Sequence, residues 1–286
     1  MMVPADARLW NCRFTRLAGG RPTVRMALED VRAYYQGANL VFYPWMEPGR
    51  KHYRIEVGSG RFLKLNQFKN RIRPEKLQRF LVKYTPIHAY MSVLSWLFPE
   101  RVAGRQKANR AYPLNGTFLL DVDVKTNRFH NHALNRRGVC EGCLRLARFN
   151  TLNACSIVEE NYREYLVVFS GRKGFHILLP FSAEDWTHYR VTDPLKTQAA
   201  ARFKYALYLR HRGVWFDFKT SVDPLRVHSV PSSLNAETGL TVKPIGERAD
   251  LEALSIGRIL DLANPTRFIH PPEFAPVKVT LKPTLG

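Results

Sequence analysis

In the run TFLLDVDVK (residues 117–125) two carboxylates, Asp121 and Asp123, interrupt a sequence that otherwise reads as a buried β-strand. Side chains alternate along a strand, so Phe118, Leu120, Val122 and Val124 share one face while Leu119, Asp121 and Asp123 share the other. Two like charges about 7 Å apart repel, and burial raises the cost, so the pair requires cations, hydrogen bonds or exposure at the strand end. One arrangement that satisfies it is a pair of Mg²⁺ or Mn²⁺ ions about 3.5–4 Å apart, bridged by the carboxylates as in two-metal phosphoryl transfer. A strand running out into a solvated turn and the D-x-D of a sugar-nucleotide transferase are the alternatives.

Two further stretches carry groups suited to phosphate chemistry. VVFSGRKGFHILLPF (167–181) sets Ser170, Arg172, Lys173 and His176 around a turn supplied by Gly171 and Gly174. Cationic donors and a hydroxyl on such a turn suit a triphosphate, and they also suit a basic hairpin on a solvated surface. VWFDFKTSVDPLRVHSVPSSLNAETGL (214–240) places Asp217 between Phe216 and Phe218, a third acid in an apolar, strand-like run.

The polar stretch that follows the acid pair, KTNRFHNHALNRRGVCEGCLRLARFN, holds His130, His132, Cys140 and Cys143. Two histidines and a C-x-x-C make a ligand set for tetrahedral Zn²⁺, which would staple a loop poor in apolar residues. Four protein ligands leave no open position, so the metal's role would be structural. Two surface histidines beside a chance C-x-x-C is the competing reading.

These residues must be positioned by a substantial core. With 286 residues and 45% hydrophobic content the chain can build one large α/β domain. Helices are expected within 26–40, over RPEKLQRFLVKYTP with Leu77, Phe80 and Leu81 on one face, over 194–213, and over ADLEALSIGRILDLA. Strands are expected in YRIEV and RFLKLNQF around a Gly-Ser-Gly turn, in AYMSVLSWLF, EYLVVF and FHILLPF, then in VWFDFKT, LTVKPI and VKVTLK. SVPSSLNAETG reads as a loop. No repeat or low-complexity linker appears, so residues 1–286 read as one domain with an insertion at 126–150.

Lysine and arginine number 44 against 24 acids, a formal charge of +20 spread along the whole chain, which favours a polyanionic partner such as nucleic acid. No apolar run is long enough to span a membrane, and the four cysteines (Cys12, Cys140, Cys143, Cys155) lack the spacing of a secreted disulfide framework. A cytoplasmic or nuclear protein is expected.

Taken together and in order, the motifs resemble the catalytic small subunit of archaeo-eukaryotic DNA primases, within the primase-polymerase superfamily. The likeness rests on Asp121-Val122-Asp123, on Ser170 to His176, and on Asp217 followed by Pro231, Ser233, Leu234, Thr238 and Gly239. It extends upstream to HYRIEV…RFLKLNQF and RFLVKYTPIHAYMSV, so that it spans roughly residues 50–245. Asn235 and Glu237 depart from it, standing where the family often has His and Lys.

The resemblance implies an α/β (α+β) fold with a mixed or antiparallel sheet core, flanking helices and a zinc knuckle. It implies a nucleotidyltransferase in which Asp121, Asp123 and Asp217 hold two Mg²⁺ or Mn²⁺ ions, while Ser170, Arg172, Lys173 and His176 contact the nucleoside triphosphate. H-x-H…C-x-x-C looks like a variant of the family's zinc knuckle. The implied function is primer synthesis on a single-stranded DNA template, with a large subunit or a C-terminal accessory domain as protein partner. A plasmid- or repair-type primase-polymerase and a non-catalytic zinc-knuckle nucleic-acid-binding module are the alternatives.

Overall fold

The computed structural model describes residues 26–58, 60–67, 71–102, 109–123, 139–187 and 193–265. Two antiparallel sheets organise them. The larger sheet contains β4 (Leu94–Trp96), β5 (Pro113–Asp123), β6 (Leu166–Phe169), β7 (Gly174–Phe181) and β11 (Lys243–Gly246), in the order β11-β6-β7-β5-β4. The smaller is built from β1 (Tyr53–Glu56), β2 (Phe62–Lys64), β3 (His88–Ser92) and β8 (Val227–Ser229), in the order β2-β1-β3-β8. A short pair, β9 (Leu234–Asn235) with β10 (Leu240–Thr241), stands apart from both. The antiparallel α/β core expected from the sequence is therefore present.

The alternation along β5 sorts its residues onto two cores. Phe118, Leu120 and Val122 pack with Phe175, Ile177 and Leu179 of β7 and with the helices α3 (Glu141–Val158), α4 (Pro194–His211), α6 (Arg248–Ala253) and α7 (Ile256–Ala263). Leu119, on the other face, joins Leu166, Val168 and Leu178 in a core shared with Tyr53, Ile55 and Met91 of the smaller sheet and with α1 (Leu28–Gly37) and α2 (Pro74–Tyr84). Asp121 and Asp123 have the parity of Leu119, so the carboxylates stand on the side of the larger sheet that turns toward the smaller one.

Helix periodicity explains the helical layer. In α3 the buried positions Leu144, Ala147, Thr151, Ala154, Cys155 and Val158 form one stripe, and in α4 Ala201, Tyr205, Ala206 and Leu209 do the same. The Asp193 carboxylate caps α4 by accepting from the backbone N–H groups of Leu195 (3.0 Å) and Lys196 (3.2 Å).

Five local expectations change. Residues 141–150, read as the end of a polar insertion, are the first half of α3, because that stretch carries the Leu144 and Ala147 that begin its buried stripe. The run around Asp217 is a helix start instead of a strand, since the Asp217 carboxylate caps α5 (Phe218–Val222). AYMSVLSWLF divides between the two sheets as β3 and β4, and the helix read in 249–263 breaks into α6 and α7 at Leu254, where Ser255 caps the second segment. LTVKPI also divides, into β10 and β11. The strand expected at VKVTLK lies outside the described residues. Among the described residues no helix is long and apolar enough to cross a membrane.

Candidate active site

The larger sheet brings the first two motifs together directly. β5 and β7 pair so that Asp121 faces His176 and Asp123 faces Gly174. Asp121 Oδ1 lies 3.6 Å from His176 Nε2, with the carboxylate side chain 18% exposed and the imidazole 12%. Burial pushes the His176 pKa below its ordinary value, the neighbouring Asp121 pulls the other way, and Arg226 adds to the downward shift. The imidazole is neutral near pH 7, and His176 acts here as a dipolar neighbour of the acid rather than as a cation. Its Nδ1 is buried and has no hydrogen-bond partner among the described residues.

The third acid reaches the pair through its backbone. The Asp217 N–H donates to the carbonyl of Asp121 at 2.8 Å, which joins the start of α5 to the end of β5. Asp217 Oδ2 accepts from Thr220 Oγ1 at 2.8 Å and Oδ1 from the Thr220 N–H at 3.3 Å, the geometry of a helix N-cap. The backbone of the third acid thus lies beside the end of the strand that carries the other two, and carboxylate oxygens are hard donors of the kind that suits Mg²⁺ or Mn²⁺. As the side chains stand, Asp217 is turned to Thr220, and the described residues contain no group of three or more metal-ligating side chains. Metal binding by all three acids would require the Asp217 carboxylate to reach an ion shared with Asp121 and Asp123.

The hairpin between β6 and β7 is closed by the Ser170 N–H donating to the Gly174 carbonyl (3.0 Å) and the Gly174 N–H donating to Ser170 Oγ (3.3 Å). Its two glycines do different jobs. Gly171 has φ +79°, a left-handed conformation that side chains disfavour. Gly174 is needed for close strand approach, because a Cβ there would collide with the Val122 carbonyl and come within 2.8 Å of Asp123 Cα.

This hairpin is clamped to the turn between β9 and β10. Thr238 Oγ1 donates to the Gly171 carbonyl at 2.7 Å, and Asn235 Oδ1 accepts from the N–H groups of Glu237 (3.2 Å) and Thr238 (3.4 Å) to shape the turn. Arg172 Nη1 then meets Glu237 Oε2 at 2.9 Å, and the same oxygen is 4.0 Å from His88 Nε2 on β3. Asn235 and Glu237, the two departures from the resemblance, thus have definite local roles. Lys173 is exposed at the hairpin tip.

The smaller sheet supplies the opposite wall. Arg54 on β1 sits between Lys64 and Tyr90 across the strands, and Glu56 sits between Phe62 and His88. Tyr90 is pushed up to about 12, chiefly by burial, with Glu56 and Glu237 adding to the shift and Arg226 and Arg172 opposing it. The Arg226 charge thus acts on both Tyr90 and His176, and sequence reasoning passed over it. Its signal was its place immediately before β8, two residues from His228 in the stretch that follows Asp217. His228 is buried beside His176 and Lys51, and these neighbours and burial take it down to about 3.

No protein-family model matches the sequence, and no curated protein matches it either. Among solved structures the chain is similar to the polymerase domain of Ligase D from Mycobacterium tuberculosis, solved in complex with DNA. The TM-score is 0.50 over 85% of this chain and 87% of that chain, at 11% identity. The chain has a polymerase-domain fold. At 11% identity that likeness is one of fold, and it agrees with the α/β architecture expected from the sequence. Within the polymerase-type fold the acid pair, the basic hairpin and the Asp217 cap occupy one contiguous region linked by hydrogen bonds and strand pairing.

The proposed zinc ligands are divided. Cys140 is the N-cap residue of α3 and Cys143 lies in its first turn, both half-buried, while His130 and His132 fall outside the described residues. Cys155, in the core, is a different thiol: burial pushes it up to about 12, which keeps it protonated and unreactive.

Proposed function

We propose that the chain is a DNA-dependent nucleotidyltransferase of the primase-polymerase type, extending a 3′-hydroxyl with nucleoside triphosphates along a DNA template. The observation that carries this reading is the 2.8 Å hydrogen bond from the Asp217 N–H to the Asp121 carbonyl, which sets the backbone of Asp217 beside the end of β5. The polymerase-domain fold of the Ligase D neighbour, whose structure contains DNA, supports extension of an existing strand.

In the proposed reaction the 3′-oxygen forms a bond to the α-phosphorus, the bond from that phosphorus to the bridging oxygen breaks, and pyrophosphate departs with that oxygen. Divalent ions held by Asp121, Asp123 and Asp217 would acidify the attacking hydroxyl and neutralise the charge that develops on pyrophosphate. Arg172, Lys173 and Ser170 would orient the triphosphate, so that alignment supplies most of the protein's contribution. His176, neutral and in cross-strand contact with Asp121, would hold that carboxylate in place.

A second reading, synthesis of primers without a pre-existing 3′ end, is favoured by the order of motifs shared with primase small subunits. One experiment tests both. The protein is incubated with Mg²⁺ or Mn²⁺, ribo- or deoxynucleotides, and either a primed template or an unprimed single strand, beside Asp121→Ala. Extension of the primed template by the wild type alone is the expected result, and product on the unprimed strand selects the priming reading. Equal incorporation by wild type and variant would end both. For the zinc knuckle, metal analysis of the purified protein is expected to find one zinc per chain, lost in Cys140→Ser/Cys143→Ser. A zinc-free wild type removes that part of the proposal.

A further inference from the structure

Helix α2 carries a basic surface that the nucleotidyl-transfer reading does not use. Leu77 and Leu81, four residues apart, bury one face of the helix in the core beneath the smaller sheet. Lys76, Arg79 and Lys83, at spacings of three and four, line the neighbouring face over roughly 10 Å of helix rise. With Arg71 and Arg73, which precede the helix, they surround a groove of about 490 Å³ whose wall also includes Phe80 and a single acid, Glu75. Among the described residues no acid forms an ion pair with Arg71, Arg73, Arg79 or Lys83.

Arg71, Arg73, Arg79 and Lys83 repel each other around one groove, and the arrangement is relieved by an anion. The charges extend along the helix, which fits a chain of repeated phosphates better than one isolated phosphate. Phe80 stands inside the groove, its ring near-parallel to Tyr84 (13°, centroids 6.1 Å apart), and the Lys83 ammonium lies 5.2 Å from the Tyr84 ring centroid. Cations interleaved with aromatic rings are the composition of a single-strand binding groove, where phosphates follow the charges and bases stack on rings. A concave site lined by a half-buried aromatic ring does not match a flat bilayer surface, which calls for protruding apolar side chains.

We infer that the α2 groove binds the backbone of single-stranded nucleic acid. The inference shares its class of partner with the proposed function and none of its chemistry, so binding is measured with neither nucleotide nor metal present. The probe is a fluorescently labelled single-stranded deoxyoligonucleotide, titrated by anisotropy across a salt series. Arg79→Gln/Lys83→Gln, both exposed positions, is expected to weaken binding and to reduce the slope of log K against log salt by about 1.4, two phosphate contacts' worth. Phe80→Leu, which keeps an apolar side chain against the core, is expected to cost at least about fivefold in affinity.

A charge-matched control, Lys196→Gln/Lys204→Gln on the exposed side of α4, should leave the slope nearly unchanged. If that control loses as much as the α2 variant, net charge and not the groove explains binding, and the inference fails. It fails also if the α2 variant keeps wild-type affinity, or if that variant loses binding to phosphatidylserine vesicles while oligonucleotide binding is unaltered. Loss of DNA binding in a variant that still incorporates nucleotides at high oligonucleotide concentration separates this surface from the catalytic proposal.

Discussion

The backbone N–H of Asp217 is hydrogen-bonded at 2.8 Å to the carbonyl of Asp121, although 96 positions separate the two residues in sequence. The bond fixes the start of α5 to the end of β5, and Asp217 at the same time caps its own helix through Thr220. Capping and catalysis make different demands on the side chain, which gives a way to tell them apart. Asp217→Asn retains an oxygen that can cap but removes the charge that a divalent ion needs. Nucleotide incorporation is expected to fall about 10²–10³-fold with a change in stability below about 1 kcal/mol, read from parallel incorporation assays and urea midpoints. A variant with wild-type incorporation reduces Asp217 to a helix cap.

Gly174 and Asp123 face each other across β7 and β5 at a separation that leaves no room for a methyl group. Gly174→Ala must push the strand ends apart beside the second acid, at a cost of about 1–3 kcal/mol. Gly171→Ala, three residues away, meets instead a left-handed backbone, at about 1–2 kcal/mol, without touching β5. Both variants should lower the urea midpoint, and the Gly174 variant should also lose a larger share of its incorporation rate when compared at equal fractions folded.

The strand alternation that put both acids on the Leu119 face was readable from TFLLDVDVK alone, because a period of two leaves little choice once one face is fully apolar. So were α2, whose apolar positions repeat at helical spacing, and α4, which is rich in alanine and closed by Gly213. The environment of Asp217 was not. An acid between two phenylalanines looks like a strand residue, and only the Thr220 hydroxyl three positions on distinguishes an N-cap. The start of α3 was hidden by its composition: the charged residues Glu141, Arg145 and Arg148 obscured the stripe begun by Leu144 and Ala147. Arg226 escaped notice because its importance comes from packing β8 beside β3, a non-local pairing that no spacing encodes.

His52 and His228 predict a pH dependence of stability. Burial, with Arg54 nearby, takes His52 down to about 4, and burial with His176 and Lys51 takes His228 down to about 3. In the unfolded chain both titrate near 6.5. Their neutral forms are favoured in the fold, so the stability they contribute is present above about pH 6.5 and is lost as pH falls through the window down to 4 and 3. Each histidine adds a slope of up to about 1.4 kcal/mol per pH unit in that window. His228→Leu, which also removes the Nδ1 contact to the Ser229 carbonyl (3.0 Å), should lower stability at pH 7.5 yet flatten its decline between pH 6 and 4. Urea midpoints collected at half-unit pH steps give the comparison, and an unaltered slope contradicts the assignment.

Glu237 holds Arg172, a proposed triphosphate contact, in a 2.9 Å ion pair, with His88 within 4.0 Å of the same oxygen. An incoming triphosphate must compete with that carboxylate for the guanidinium and must also tolerate its charge. The side chains are 28% and 42% exposed, so solvent screens the pair and keeps its strength to about 1 kcal/mol or less. Glu237→Gln is therefore expected to lower KM for the nucleotide by up to about fivefold, since 1 kcal/mol corresponds to that factor, with kcat little changed. Arg172→Gln should raise KM, and the double variant should resemble the Arg172 single variant, because Glu237 acts through the arginine. If Glu237→Gln instead raises KM, the carboxylate orients Arg172 toward the substrate and does not compete with it. The two readings predict opposite signs in one steady-state measurement.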